Sequence, residues 1–138
     1  MRWKEVHVGD VLKVEADDAI PADLLLLQCA DAKGVCYVET KNLDGETNLK
    51  VKAAEKDLQA VFKDEKELGH LAGHVRCEKP NNAIYKFEGT IQIPQRRKMI
   101  SLNVDNLLLR GSRLRNTDYV LGVAIYQGHD TKIMQNSA

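Results

Sequence analysis

Cysteine, proline and aromatic residues are all sparse in this chain, and so is any excess of charge. The three cysteines, Cys29, Cys36 and Cys77, are odd in number and irregularly spaced. That argues against a disulfide framework and for reduced, mostly buried thiols in a cytosolic setting. Lysine plus arginine and aspartate plus glutamate number 20 each, so no net field draws the chain to nucleic acid or to an anionic membrane over long range. No apolar stretch approaches the roughly 20 residues needed to cross a bilayer. The best, residues 24–27, is strand-sized, and the chain is expected to be soluble. Met1-Arg2-Trp3 does not lead into the apolar core of a signal peptide, so secretion is not expected. A glycine-rich phosphate loop, a dinucleotide fingerprint and an ordered Ser-His-Asp set are missing too, so a complete active site is not expected.

What is present fits one domain, since 138 residues can bury a core without metal or disulfide support. Val6 and Val8, a Gly9-Asp10 turn, then Val11, Leu12 and Val14 suggest two short strands tightly joined. Residues 24–28 form a continuous apolar strand, buried on both faces, and residues 31–34 turn the chain. Residues 35–40 alternate as a strand. Between Leu49 and Leu71 helix formers dominate, with Leu58, Val61 and Phe62 at helical spacing; one or two helices are expected, broken by Gly69 and Gly73. Strand patterns resume at 75–78, 84–93, 106–109 and 119–126, with a turn at Pro80-Asn81-Asn82, an exposed loop at 94–98 and a short helical stretch after Gly128-His129-Asp130. Many short strands with one helical excursion predict a mainly β core of sandwich or jelly-roll style, not a parallel βαβ sheet.

The most informative stretch is Leu43-Asp44-Gly45-Glu46-Thr47-Asn48-Leu49-Lys50. Gly45 permits a turn with positive φ and close approach of a large partner group. Glu46 would project outward beyond it as a base, while Thr47 and Asn48 supply a hydroxyl and an amide able to hold a water or meet a phosphate. A plainer reading competes, and spacing alone favours it: Asp-Gly is also the commonest two-residue hairpin turn, with Glu46 an ordinary solvated side chain. Other clusters are weaker. His70 and His74 with Cys77 have metal-ligand spacing on an unbroken helix, but Gly73 interrupts it. Asp17, Asp18 and Asp23 lack calcium-loop spacing and read as turn chemistry. Arg96-Arg97-Lys98 could meet phosphate or lipid headgroups but reads as a solvated tip. Arg110, Arg113 and Arg115 around Gly111 could grip an acidic partner surface or simply solvate a strand end.

Several segments together resemble one family: residues 3–10 with Val8-Gly9-Asp10, Ile20-Pro21-Ala22-Asp23-Leu24, Tyr37-Val38-Glu39-Thr40, the loop from Asn42 to Lys50, residues 77–81, residues 106–111, Leu114-Arg115-Asn116-Thr117 and residues 128–132. Over nearly its whole length the chain is similar to the actuator domain of type IV P-type ATPases, the phospholipid flippases. Their Asp-Gly-Glu-Thr form is specific, since ion-pumping relatives usually carry Thr-Gly-Glu-Ser. One departure is Ser112, where many flippases have cysteine. The resemblance implies a distorted jelly-roll, double-stranded β-helix-like domain with a short helical insertion, spanning residues 1–138 as the cytoplasmic loop between the second and third membrane spans of a parent pump. It implies that Glu46, shaped by Asp44, Gly45 and Thr47, is the base that activates water against an aspartyl phosphate on another domain. ATP and Mg2+ would belong to the parent's phosphorylation and nucleotide-binding domains, with no cofactor in this one. Its partners would be those domains, the membrane helices with their phospholipid, and an accessory transmembrane β-subunit. The reading of a different class is a non-catalytic, β-rich protein-interaction module.

Overall fold

The computed structural model describes residues 3–64, 70–78 and 86–126. In chain order they form β1 (Trp3–Asp10), β2 (Leu12–Glu15), β3 (Asp23–Cys29), β4 (Val35–Glu39), α1 (Lys41–Asp44), β5 (Lys50–Ala53), α2 (Lys56–Asp64), β6 (His70–Glu78), β7 (Glu88–Gln92), β8 (Ile100–Asn103), a 3-10 turn at Val104–Asn106, β9 (Leu107–Leu108), β10 (Arg113–Arg115) and β11 (Tyr119–Tyr126). The strands make three antiparallel sheets, ordered β1-β6-β7-β8, β10-β4-β5 and β2-β11-β3-β9. The architecture is mainly β and jelly-roll-like, as the patterning predicts.

The apolar run organises this arrangement. Every residue of β3 is buried, and alternate side chains of a strand point to opposite faces. Leu25 and Leu27 enter one core with Leu58, Phe62, Ile91 and Val123, whereas Leu24 and Leu26 enter a second with Val14, Cys36, Leu114 and Val120. Each buried leucine contributes about 1.5–3 kcal/mol of transfer free energy, so one strand ties both cores together. All three cysteines are buried free thiols.

Four expectations need correction. Gly9-Asp10 does not close a hairpin: β1 pairs with β6 and β2 with β11. The bend, with a register shift between Val8 and Asp10, hands the chain from one sheet to another. The cause lies in the cores, since Val14 of β2 joins the second while Val75 and Cys77 of β6 join the first. Secondly, residues 50–53 are a strand rather than a helix. Register with β4 runs from Val35↔Ala53 to Val38↔Lys50, and further bonds from Lys52 Nζ to the Val104 carbonyl (2.9 Å) and from Asn106 Nδ2 to the Ala53 carbonyl (2.8 Å) hold it there. These tertiary contacts override the helix propensity of lysine and alanine. Helix α2 begins only where Glu55 Oε1 accepts the Asp57 N–H at 2.8 Å, and it packs Leu58, Val61 and Phe62 into the first core. Thirdly, Gly73 lies within β6 instead of ending a helix. Fourthly, the strand expected at 106–109 shrinks to β9, preceded by a 3-10 turn whose cap, Asn103, accepts the Asp105 N–H. Gly69, the turn at 80–82 and the stretch from 128 lie outside the described residues. Among the described residues no helix is long and apolar enough to cross a membrane.

Candidate functional site

Strands β4 and β5 are antiparallel neighbours whose last pair is Val38↔Lys50, and residues 40–49 form the connection between them. One turn of helix forms first: the Leu43 and Asp44 N–H groups donate to the Thr40 carbonyl (2.8 and 3.0 Å), and that of Gly45 to the Lys41 carbonyl (2.9 Å). Gly45 ends it at φ +74°, the left-handed cap that glycine adopts without a Cβ penalty. A Cβ there would meet nothing within 4 Å, so the glycine is required by backbone conformation and its outer side is open. Asp44-Gly45 is thus a helix end, not a two-residue hairpin turn.

Beyond the glycine the chain is held by Asp44, whose Oδ1 accepts the Glu46 N–H at 2.9 Å while both its oxygens lie 3.1 Å from the Thr40 hydroxyl. Asp44 is half-buried, and Gly45, Glu46, Thr47 and Asn48 are exposed. The Glu46 side chain is half-exposed and ion-paired with Lys50 four residues on; a solvent-facing pair of this kind is worth about 0–1 kcal/mol. Leu43 secures the helical turn from beneath by packing against the first core. Its Cδ2 stands 3.2 Å from where a Cβ on Gly111 would lie, and Gly111 has φ +90°. Behind the loop lies a cleft of about 280 Å³ bordered by Thr40, Asp44, Lys50, Lys52 and Asp105. Burial lowers the Lys52 ammonium's pKa below the ordinary lysine value, with Asp105 opposing part of the shift.

The structure disperses the remaining candidates. Asp23, expected to serve a turn at Pro21, instead opens β3 fully buried, and its Oδ1 accepts the N–H of the sequence-distant Arg110 at 2.9 Å. Arg113 donates to the Asp17 carbonyl (2.8 Å), and Arg115 to Asp17 (2.7 Å) and Glu39 (3.2 Å). Those two carboxylates raise the Arg115 pKa above its ordinary value, and these two arginines serve their own fold. Ser112 is buried. Residues 94–99 form the exposed tip between β7 and β8. His70 and His74 sit on strand β6, not on a helix, and Cys77 is buried on the opposite face of that strand from His74. Among the described residues no three His, Cys, Asp or Glu side chains gather as metal ligands. Cys36 is pushed well above the ordinary thiol pKa by its hydrogen bond with Cys29 and then by burial.

Of the loop residues singled out by sequence, then, Asp44 and Gly45 build the turn, while Glu46 and Thr47 are presented on it. A carboxylate so presented can accept a proton from a water brought by another module. Sequence reading missed Thr40 and Lys50. The signal was there: both stand at i, i+4 spacing from the carboxylates they contact, Thr40 to Asp44 and Glu46 to Lys50.

No family model matches the chain. Individual proteins do. It is 45% identical over 136 residues, 99% of its length, to a phospholipid-transporting ATPase of Schizosaccharomyces pombe. It is 49% identical over 135 residues, 98% of its length, to phospholipid-transporting ATPase 6 of Arabidopsis thaliana, and 43% identical over 136 residues, 99% of its length, to phospholipid-transporting ATPase DRS2 of Saccharomyces cerevisiae. The chain spans 11%, 11% and 10% of these relatives, about a tenth of each.

Proposed function

We propose that this chain, whose sequence groups with the phospholipid-transporting ATPases over almost its entire length, is the actuator domain of an ATP-driven phospholipid pump. Residues 1–138 are then one domain on the cytoplasmic face of a membrane, set between the second and third spans of a longer chain. Glu46 accepts the proton of a water that attacks an aspartyl phosphate on a separate phosphorylation domain; Asp44, Gly45 and Thr47 shape the loop that delivers it. A carboxylate held close to an in-line water takes its proton as the bond to phosphorus forms. Movement of the whole domain sets when Glu46 arrives, which couples hydrolysis to lipid movement. ATP and Mg2+ act at the parent's phosphorylation and nucleotide-binding domains. The membrane helices carry the phospholipid, and an accessory transmembrane β-subunit completes the assembly.

The observation that carries this reading is the half-exposed Glu46 side chain on a turn fixed by Asp44 and Gly45, with open space beyond the glycine. Glu46→Gln in the full-length pump should leave phosphorylation by ATP intact and make the phosphoenzyme persist. Undiminished decay of the phosphoenzyme in that variant overturns the assignment.

A further inference from the structure

We propose that Lys50 is a positioning residue for Glu46: it holds the carboxylate while the loop is undocked and exchanges it for the phosphoryl group when the loop docks. This rests on the reading of Glu46 as the base. The two partners of the ion pair are anchored very differently. Lys50 opens β5 and is in register with Val38, it lines the same cleft as Asp44, and its side chain is 35% exposed. Glu46 lies outside any strand or helix and its side chain is 50% exposed. The cation is therefore fixed to a rigid element and the carboxylate is the member free to leave.

Their contact suits a latch that must open. An exposed ion pair is weak, because water screens it and both side chains lose freedom in forming it. A phosphoryl group carries about two negative charges against one on a carboxylate, so at equal distance and dielectric it attracts the ammonium about twice as strongly. Arrival of the phosphorylated module would then draw Lys50 onto a phosphoryl oxygen. Glu46, released, turns to the water. The water oxygen bonds to phosphorus, the bond from phosphorus to the aspartyl oxygen breaks, and that electron pair stays on the aspartate. One water proton goes to Glu46, leaving a free carboxylate, a protonated Glu46 and inorganic phosphate. Lys50 neither gains nor loses a proton. It supplies charge where the leaving phosphate keeps its own.

The test uses the full-length pump with Lys50→Ala, Lys50→Arg and Glu46→Gln. Two quantities are read: decay of the ATP-formed phosphoenzyme, and the orthovanadate concentration that half-inhibits the ATPase. Lys50→Ala should raise the vanadate requirement and slow decay, each by about tenfold, the worth of a charge-assisted hydrogen bond. Lys50→Arg should restore both to within about threefold, which a merely structural role would not predict. Lys50→Gln, which keeps an extended stem and loses the charge, should show the same tenfold changes and replaces the alanine reading where alanine harms folding. Unchanged vanadate inhibition and decay in both the Ala and Gln variants, or failure of arginine to restore them, overturns the Lys50 assignment and leaves the base untouched. Rapid decay in Glu46→Gln instead removes the base and with it the latch.

Discussion

The carboxylate of Asp44 is the clasp of the loop that carries Glu46: it accepts the Glu46 N–H at 2.9 Å and stands 3.1 Å from the Thr40 hydroxyl. Two acids separated by one glycine therefore have different work. One folds back and fixes the backbone, and only the other is offered outward.

Removing the clasp should harm presentation more than folding. Asp44→Ala deletes its hydrogen bonds with the Thr40 hydroxyl and the Glu46 N–H at a half-buried site, and each such bond contributes about 1 kcal/mol net; urea unfolding of the chain should show a loss of at least about 1–2 kcal/mol. Asp44→Asn retains an oxygen for the Glu46 amide and should lose less. On the proposed assignment of Glu46 as the base of a longer pump, the alanine variant should slow phosphoenzyme decay about tenfold, because Glu46 no longer starts from a fixed position. Normal decay with Asp44→Ala would mean that the turn does not place the base.

Glycine substitutions separate conformation from space. At Gly45 the backbone has φ +74° and a Cβ would have nothing within 4 Å, so Gly45→Ala carries only the left-handed penalty of about 1–2 kcal/mol. At Gly122 on β11 an added Cβ would lie 2.9 Å from the Leu25 carbonyl oxygen and 3.2 Å from Leu24 Cβ. That strand is locked between both cores, and Gly122→Ala should cost about 2–3 kcal/mol by overpacking. Thermal melts of the two variants should rank Gly122→Ala as the more destabilised; the reverse order would show that β11 accommodates the added methyl more easily than the loop accommodates a left-handed alanine.

How much of this was legible without coordinates depends on where each residue's partner lies. The run at residues 24–28 announced a strand buried on both faces because no polar side chain until Gln28 interrupts it. Leu58, Val61 and Phe62 announced α2 by their spacing. Lys50, Lys52 and Ala53 announced a helix and were wrong. Their structure is decided by β4 and by Val104 and Asn106, residues distant in sequence, and local propensity carries no trace of them. The same holds at Gly9-Asp10, where destination sheets, not turn preference, set the path. At the site, Gly45 and Glu46 were legible because a positive-φ glycine and a polar flank are local features. The clasp by Asp44 was not separable from a hairpin turn until Thr40 was seen to engage it.

Gln59 joins α2 to β3 through three bonds. Its Oε1 accepts the Cys29 N–H at 2.8 Å, and its Nε2 donates to the carbonyls of Cys29 (3.1 Å) and Asp31 (3.2 Å). The side chain is buried, so water cannot take its place. Gln59→Ala should cost about 3 kcal/mol, since an unsatisfied buried backbone group costs about 1–3 kcal/mol. Gln59→Glu should be at least as harmful, because it presents an acceptor to two carbonyls. Hydrogen exchange gives a sharper check than melting: protection of the Cys29 amide should fall more than that of Val123, which lies in the paired interior of β11.

Lys52 makes the stability of the chain depend on alkaline pH. Burial lowers its folded-state pKa below the ordinary 10.5, against opposition from Asp105 and Cys36, so the fold favours the neutral amine more than the unfolded chain does. Between the folded-state pKa and 10.5 the unfolded chain binds more protons, and the linkage relation makes stability rise with pH across that window. Below it both states are charged and the penalty is present in full; above 10.5 both are neutral and it has gone. Lys52→Met removes the titration together with the bond to Val104. The informative quantity is therefore how the difference between variant and wild type changes with pH. Urea titrations stepped from about pH 7 upward should show that difference moving steadily in favour of wild type as pH approaches 10.5. A constant difference would mean that the cleft leaves Lys52 as well solvated as the unfolded chain does, and that its bond to the Val104 carbonyl accounts for its whole effect on stability.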